Sequence, residues 1–420
     1  MKFKRFVAAF IAVITVMTCG LFAVGCGGGT EQSGNRVRIS RWALEWEKDV
    51  FRAWTKEFTD ENPDIVIEWE FTPYTAHFDR LRTDLLGGQA ADIIFVNNWG
   101  WAPYSKLDVF EDLSTVDELK DTFASLVTEV PSSFKTDGKT LGLPVGMVSR
   151  VPVVNTDDFA AAGVEVPQKT TAFTGDELAG ILGDVADGSG RAMGINITLT
   201  DALAIFLASA DAPLVTADGK IGCNTEAGIK AVGDFFRFAK SGVVVPLSQN
   251  NAGSYGSPDT AIMSGNCVAG WVNCGELSSL ADNGYAGKLA TIPSVKADGG
   301  KDVVLADFNT LVVPKFSKSK DAAYKVMKWM LSKEAQLKYA KFSDLPVNKA
   351  AFDEIGTDTE NWDPTLYAAY GVGIDNIYVS PATSTAFQTL YGGALKDLLD
   401  EKITPAQFCE KMATDGAKYL

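Results

Sequence analysis

Between Arg36 and Val96 the hydrophobic pattern alternates between two periods, and this restricts the possible folds more than any other feature. Ile65, Ile67, Trp69 and Phe71 alternate with polar residues, the period-two mark of a half-buried strand. Ahead of them Val50, Trp54 and Phe58 recur at fourfold spacing with Phe51 beside them. That is one apolar helix face, from about Glu47 to Asp60, closed by Asn62-Pro63. Arg36 to Trp42 reads as a preceding strand. Phe78, Leu81 and Leu85 repeat the helical spacing until Gly87-Gly88 stop it, and Ile93 to Val96 is a short buried strand. A β-α-β-α-β order calls for a mostly parallel sheet flanked by helices, since parallel neighbours need long crossover connections. Ligands of such sheets gather beyond the carboxyl ends of the strands. The first turn carries no GxGxxG, so a dinucleotide is not indicated.

The start of the chain has a different character. Lys2, Lys4 and Arg5 precede an apolar run from Phe6 to Val24, which ends in Ala23-Val24-Gly25-Cys26 and is followed by Gly27, Gly28 and Gly29. Positive charge, apolar stretch and small residues are the anatomy of a secretory signal. A cysteine directly after small residues resembles the bacterial lipobox, whose cysteine is acylated and becomes the first mature residue. The usual Leu three places before it is Ala23 here. The resemblance implies a signal peptide over 1–25, lipidation of Cys26 and a Gly-rich tether over 26–35. The mature protein is then held by lipid at the extracytoplasmic face of a cell membrane. An ordinary cleaved signal or a single span is the alternative, although the glycines suit a flexible tether.

Later stretches do not reach the roughly twenty apolar residues of a span. What remains after the signal is long enough for two or three domains. Across the chain 38 basic side chains face 53 acidic ones, which argues against nucleic acid as a partner. His77 is the single histidine and lies in a polar stretch ahead of a helix, where a solvated position is expected. A Ser-His-Asp triad has only His77 to use and there is no GxSxG elbow. Zinc sites built on several His or clustered Cys are excluded, and neither metal nor cofactor is expected. Carboxylate-pair chemistry stays open, because a glycosidase needs only two Asp or Glu. Cys223, Cys267, Cys274 and Cys409 form no CxxC, and buried free thiols are the default, with one or two disulfides possible in an oxidising compartment. Cys267 and Cys274, if extended, stand too far apart to bridge.

Further segments share an order with a known family. They include Phe58-Thr-Asp-Glu-Asn-Pro63, Leu86-Gly-Gly-Gln-Ala-Ala-Asp-Ile-Ile94 and Leu107 to Leu113. Asp137-Gly-Lys-Thr-Leu-Gly-Leu-Pro144 is similar to a DGKxYGxP stretch, and Val153 to Phe159 to a YNKDxF strand and turn. Ala162-Gly163, Pro167, Asp176-Glu177-Leu178, Ala261 to Gly275, the Asp321 to Tyr339 helix and Leu345-Pro346-Val347-Asn348 continue the series. Over essentially the whole mature chain this resembles the sugar-binding branch of the extracellular solute-binding proteins, the receptors of ABC importers. The resemblance implies an α/β, two-lobed periplasmic-binding-protein-like fold (type II) with the ligand cleft between lobes. Crossings are expected near Val148 to Val151, Val303 to Asp307 and Ser343 to Leu345. Lobe one would hold 36–148 and 307–343, lobe two 149–306 and 344–420. The receptor would close on a carbohydrate, more readily an oligosaccharide, and pass it to the permease subunits as a monomer.

Sugar recognition needs aromatic faces for pyranose C–H groups and directional donors and acceptors for hydroxyls. On the implied fold the cleft candidates are Trp42, Glu45 and Trp46 after the first strand, and Asn97, Asn98, Trp99 and Trp101 after the third. Lobe two offers Trp271, Asn273 and Glu276; many family members carry a stacking Trp where this chain has Gly275. Arg150, Asp307, Phe308 and Asn309 lie at the crossings, and Trp362 and Tyr370 in a late polar stretch. Trp99, Trp101 and Trp271 also fit a packing role, while Trp54, Trp69 and Trp329 are expected in the core. An anchored carbohydrate-cleaving enzyme and a receptor for a polyamine or peptide are the alternatives. A dication would call for several cleft carboxylates, whereas the Asn and Trp mixture at 97–101 fits neutral hydroxyls better.

Overall fold

The computed structural model describes residues 35–101, 103–191, 193–246, 258–355, 357, 367–379 and 384–420. Cys26 with the whole signal assignment, and Trp362, lie outside the described residues, as does the side chain of Trp99. Strand β1 (Arg36–Trp42) leads into helix α1 (Glu45–Glu61), then β2 (Val66–Thr72), α2 (Tyr74–Leu86) and β3 (Ile93–Asn97). The periodicity is obeyed: α1 buries Phe51, Trp54 and Phe58, and the Trp54 indole donates to the Ala335 carbonyl at 3.0 Å. Each such ring contributes about 1.5–3 kcal/mol relative to exposure. β1 lies between β2 and β3 in parallel register, with Ile39 opposite both Trp69 and Ile93.

The sheet continues through β4 (Leu143–Asn155), β5 (Met193–Ile197), β6 (Val244–Pro246), β7 (Cys267–Asn273) and β8 (Val304–Val312). Among the described residues it has ten strands, ordered β2-β1-β3-β8-β4-β7-β5-β6, with short strands beside β4 and β8. Its two ends are parallel, as the first hundred residues suggest, but the centre is antiparallel. There β8 pairs with both β3 and β4, and β4 with β7. The cause is the two long central strands, which run in opposite directions through the middle of the molecule.

Helices α3 (Gly175–Ser189), α4 (Leu199–Ser209), α5 (Glu226–Ala239), α6 (Lys320–Met330) and α7 (Lys333–Ala340) cover the faces. One core joins Phe51, Trp54, Val145, Met147, Phe308 and Tyr339; another joins Leu182, Phe206, Phe235, Trp271 and Phe408. Trp69 and Trp329 are partly buried against the first. The four described cysteines are free and buried. None of the described helices is long and apolar enough to cross a membrane.

One expectation changes. His77 is not solvated: it is 5 % exposed, its ring Nε2 lies 2.8 Å from the Phe95 carbonyl, and burial draws its pKa down. The turn that places His77 on the inner face of α2 also buries Leu81 and Leu85. The chain also stays with the first core beyond Ser343. Leu345 exchanges two backbone hydrogen bonds with Met147, and Val347 and Ile355 join that core. Hydrophobic contacts thus hold Leu345, Val347 and Ile355 to the first core.

Candidate ligand-binding site

The central strands bring together side chains that are far apart in sequence. Asn98 opens the short helical turn after β3, and its amide donates to Asp307 Oδ1 at 2.8 Å while its carbonyl accepts from the Phe308 N–H at 3.0 Å. Both ends of the Asn98 side chain are therefore spent on β8. On its other oxygen Asp307 faces Arg150 of β4 at 3.5 Å, and the same guanidinium nitrogen lies 3.6 Å from Asp201. Asp201 sits in the first turn of α4, directly beyond the carboxyl end of β5. Arg150 is register partner to Asn273 at the end of β7, where Glu276 follows in a tight turn.

The electrostatics of this hub are unbalanced. One guanidinium answers Asp201, Asp307 and Glu276, which hold its pKa above the ordinary value against the opposing effect of burial. Burial pushes Asp201 up to about 6, with Asp307 adding to the rise and Arg150 opposing it. Burial also raises Glu276, helped by Asp259 and countered by the Asn273 N–H and Arg150. Tyr370 is 1 % exposed, its hydroxyl has no hydrogen-bond partner among the described residues, and it lies within electrostatic reach of Glu276 and Arg150.

Aromatic surface adjoins the hub through Asn97. Its side-chain oxygen accepts from the Gly100 N–H at 2.8 Å, and its amide lies 3.2 Å from the Tyr74 hydroxyl. Gly100 is required there, because a Cβ would stand 2.3 Å from the Phe78 ring. Tyr74 meets Trp42 edge-on at 5.4 Å and is 44 % exposed, while Trp46, in the first turn of α1, is 58 % exposed. That turn is anchored by Glu47, whose carboxylate accepts from the Leu44 N–H at 2.6 Å.

The sequence candidates therefore divide. Trp42, Asn97, Arg150, Asn273 and Asp307 lie in the strands, and Trp46, Asn98 and Glu276 in the turns that follow them, with Asn98 and Asp307 buried. Glu45 is exposed but paired with Lys48 at 2.5 Å. Trp101 packs between Phe110 and Phe134 with its indole N–H on the Ser133 carbonyl, so its ring has no face for a ligand. Phe308 and Trp271 are likewise core residues, at 0 % and 2 % exposure. Asn309 turns into the first core, where its amide donates to Asp344 at 2.7 Å beside Tyr339. Tyr370 is buried, with its hydroxyl near the hub. Asp201 and Tyr74 were not anticipated, although each lies just past a strand's carboxyl end, the position that singled out Trp42 and Asn97.

This arrangement of a continuous sheet, crossing strands and polar hub belongs to a binding fold, and comparison agrees. The family model of the bacterial extracellular solute-binding proteins matches residues 53–369, and the chain belongs to that family. Its members are solute-binding proteins, not enzymes, and act outside the cytoplasm. A binding protein of Brucella abortus (strain 2308) is 25 % identical over 346 residues, covering 79 % of this chain and 80 % of its own. An ABC substrate-binding protein from Listeria monocytogenes, solved with cycloalternan, superposes with TM-score 0.71 at 19 % identity, covering 91 % of this chain and 98 % of that one. The cyclic alpha-maltosyl-1,6-maltose binding protein from Arthrobacter globiformis gives 0.74 at 18 %, with 91 % and 98 % covered. At such identities these two likenesses concern the fold.

Proposed function

We propose that the protein is a lipid-anchored receptor that captures a carbohydrate, an oligosaccharide above all, by lobe closure and delivers it to the permease subunits of an ABC importer. The observation that carries this reading is one unbroken run of contacts. It passes from the half-buried Trp42 and the exposed Tyr74 through Asn97 and Asn98 to Asp307, Arg150 and Asp201. Aromatic faces suit sugar C–H surfaces, and the amides and carboxylates suit hydroxyls. The sugars named for its structural neighbours support the same class. The proposed lobes are 36–148 with 307–343 and 149–306 with 344–420, with Leu345, Val347 and Ile355 held to the first core. Contacts made only in the closed state would drive closure. The working form is a monomer, tethered through Cys26.

A thermal-shift series with mono- and oligosaccharides tests the ligand class, because a ligand bound only by the folded state raises the midpoint with concentration. A rise with a glycan that is recovered unchanged supports the reading; a rise confined to peptides overturns it. Trp46→Ala is expected to weaken glycan binding by about 1 kcal/mol or more, the usual effect of losing an aromatic anchor. Unchanged affinity by calorimetry would remove Trp46 from the site. Cys26→Ala is expected to shift the protein from the membrane fraction to the soluble one; retention in membranes would overturn the lipid anchor.

A further inference from the structure

We infer that Arg41 is a positioning residue for the glycan site: with Glu47, its buried guanidinium fixes the turn over 42–47, so that Trp42 and Trp46 hold their places before a ligand arrives. This deepens the carbohydrate reading and rests on it. The first observation is the phase of β1. Val37, Ile39 and Arg41 are its buried positions, so a cation occupies an inward place that the period-two pattern reserves for an apolar residue. Arg41 is only 3 % exposed, and its guanidinium lies 3.8 Å from the centre of the Phe51 ring and 5.6 Å from that of Phe95. Burying a guanidinium is costly unless it is paired and hydrogen-bonded. Here the pairing is incomplete. Glu47 stands 3.4 Å away, beyond the usual length of a charge-assisted bond, and Arg41 Nε has no partner among the described residues. The core by itself would be better served by an aliphatic side chain.

The second observation is where the polar atoms of Arg41 go. Nη1 donates to the Trp42 carbonyl at 2.7 Å and faces Glu47 Oε1 at 3.4 Å. The other Glu47 oxygen accepts from the Leu44 N–H at 2.6 Å. Glu47 and Phe51 stand four residues apart on α1, so Arg41 lies along one face of that helix and ties it back to the end of β1. Apolar packing cannot hold this turn, because Leu44 and Trp46 are 63 % and 58 % exposed. Leu44 also occupies the N-cap of α1, where it offers no side-chain oxygen to the first turn. A backbone bond from the Ala43 N–H to the Thr72 carbonyl, at 3.0 Å, sets where the chain leaves the strand and ends three residues short of Trp46. An aromatic ring held in place beforehand loses less freedom on binding, so Arg41 raises affinity without touching the ligand.

The test is fluorine NMR on the mature protein labelled with fluorotryptophan, the Trp42 and Trp46 signals being assigned by Trp42→Phe and Trp46→Phe. In Arg41→Met, which keeps most of the side-chain volume, both signals are expected to move or broaden. Those of Trp54 and Trp69, which also border Phe51, are expected to stay in place. Glu47→Gln, made at the more exposed partner, is expected to give the same pattern, which keeps the inference open to refutation if Arg41→Met does not fold. Calorimetry with maltohexaose, or with the glycan that most raises the melting midpoint, is expected to show affinity lowered at least about threefold in each variant. Unmoved Trp42 and Trp46 signals in a folded variant would overturn the inference. Equal movement of Trp54 and Trp69 would do the same, since Arg41 would then serve packing alone. So would moved signals with unchanged glycan affinity. A parent protein that binds no glycan, in which the two signals still respond to Arg41, would instead overturn the carbohydrate reading and leave the shaping of the turn standing.

Discussion

Arg150→Met is expected to lower the unfolding free energy by about 3–5 kcal/mol at pH 7, the usual loss when one partner of a buried ion pair is removed. Arg150 is the cation that faces Asp201, Asp307 and Glu276, and the first two side chains are only 14 % and 8 % exposed. Methionine fills much of the volume and supplies no charge, so the carboxylates stay buried against one another. Two further results distinguish this cause from lost packing. The deficit is expected to shrink as pH falls from 7 toward about 6, because without Arg150, which opposes the rise, Asp201 takes up its proton above the parent's value of about 6. Arg150→Lys is expected to recover part of it, because charge returns without the forked geometry. Urea denaturation at pH 5 and pH 7 reads both. A loss under about 1 kcal/mol, the scale of exposed pairs, would mean that the hub does not depend on its cation.

Asp201→Asn is expected to act in the opposite direction on stability. The folded-state pKa of Asp201 is raised to about 6 from an unfolded value near 3.8. Between these values the native state binds the proton that the unfolded state has released. Stability therefore falls as pH rises through that window and levels off above it. The shift corresponds to about 3 kcal/mol lost by pH 7, at 1.36 kcal/mol per unit. Asparagine keeps the shape and cannot ionise, so the variant is expected to exceed the parent by up to that amount at pH 7 and to match it near pH 4. Melting curves over pH 4–7 measure the crossover, and parallel curves at all pH values would remove Asp201 as its source. The gain in stability should accompany weaker ligand binding, since a carboxylate kept ionised at a cost is serving something other than the fold. Combined with Arg150→Met, the effects should not add, because both residues share one contact.

The elements up to residue 97 were legible because their cause is local. A helix expected over Glu47 to Asp60 is found at Glu45–Glu61, and a strand ending at Val96 is found to end at Asn97. Side-chain period follows from backbone geometry alone, and apolar residues at the right spacing are sufficient to specify the face. The sharing of Arg150 was not legible. Asn98 and Asp307 are 209 residues apart and Arg150 and Asp307 157 apart, and nothing in their own segments specifies that they touch. Nor does composition separate Trp46 from Trp101: both follow a strand, yet Phe110 and Phe134 enclose one and leave the other in solvent. Asp201 escaped notice because an acid in the first turn of a helix is ordinary on dipole grounds. The sequence by itself determined the α/β pattern, the family and the strand ends of the first hundred residues. Only the tertiary structure decided which residues are buried, which share a charge and how far burial moves a pKa. Periodicity belongs to neighbours along the chain, whereas dielectric and electrostatic partners are supplied by segments that meet only after folding.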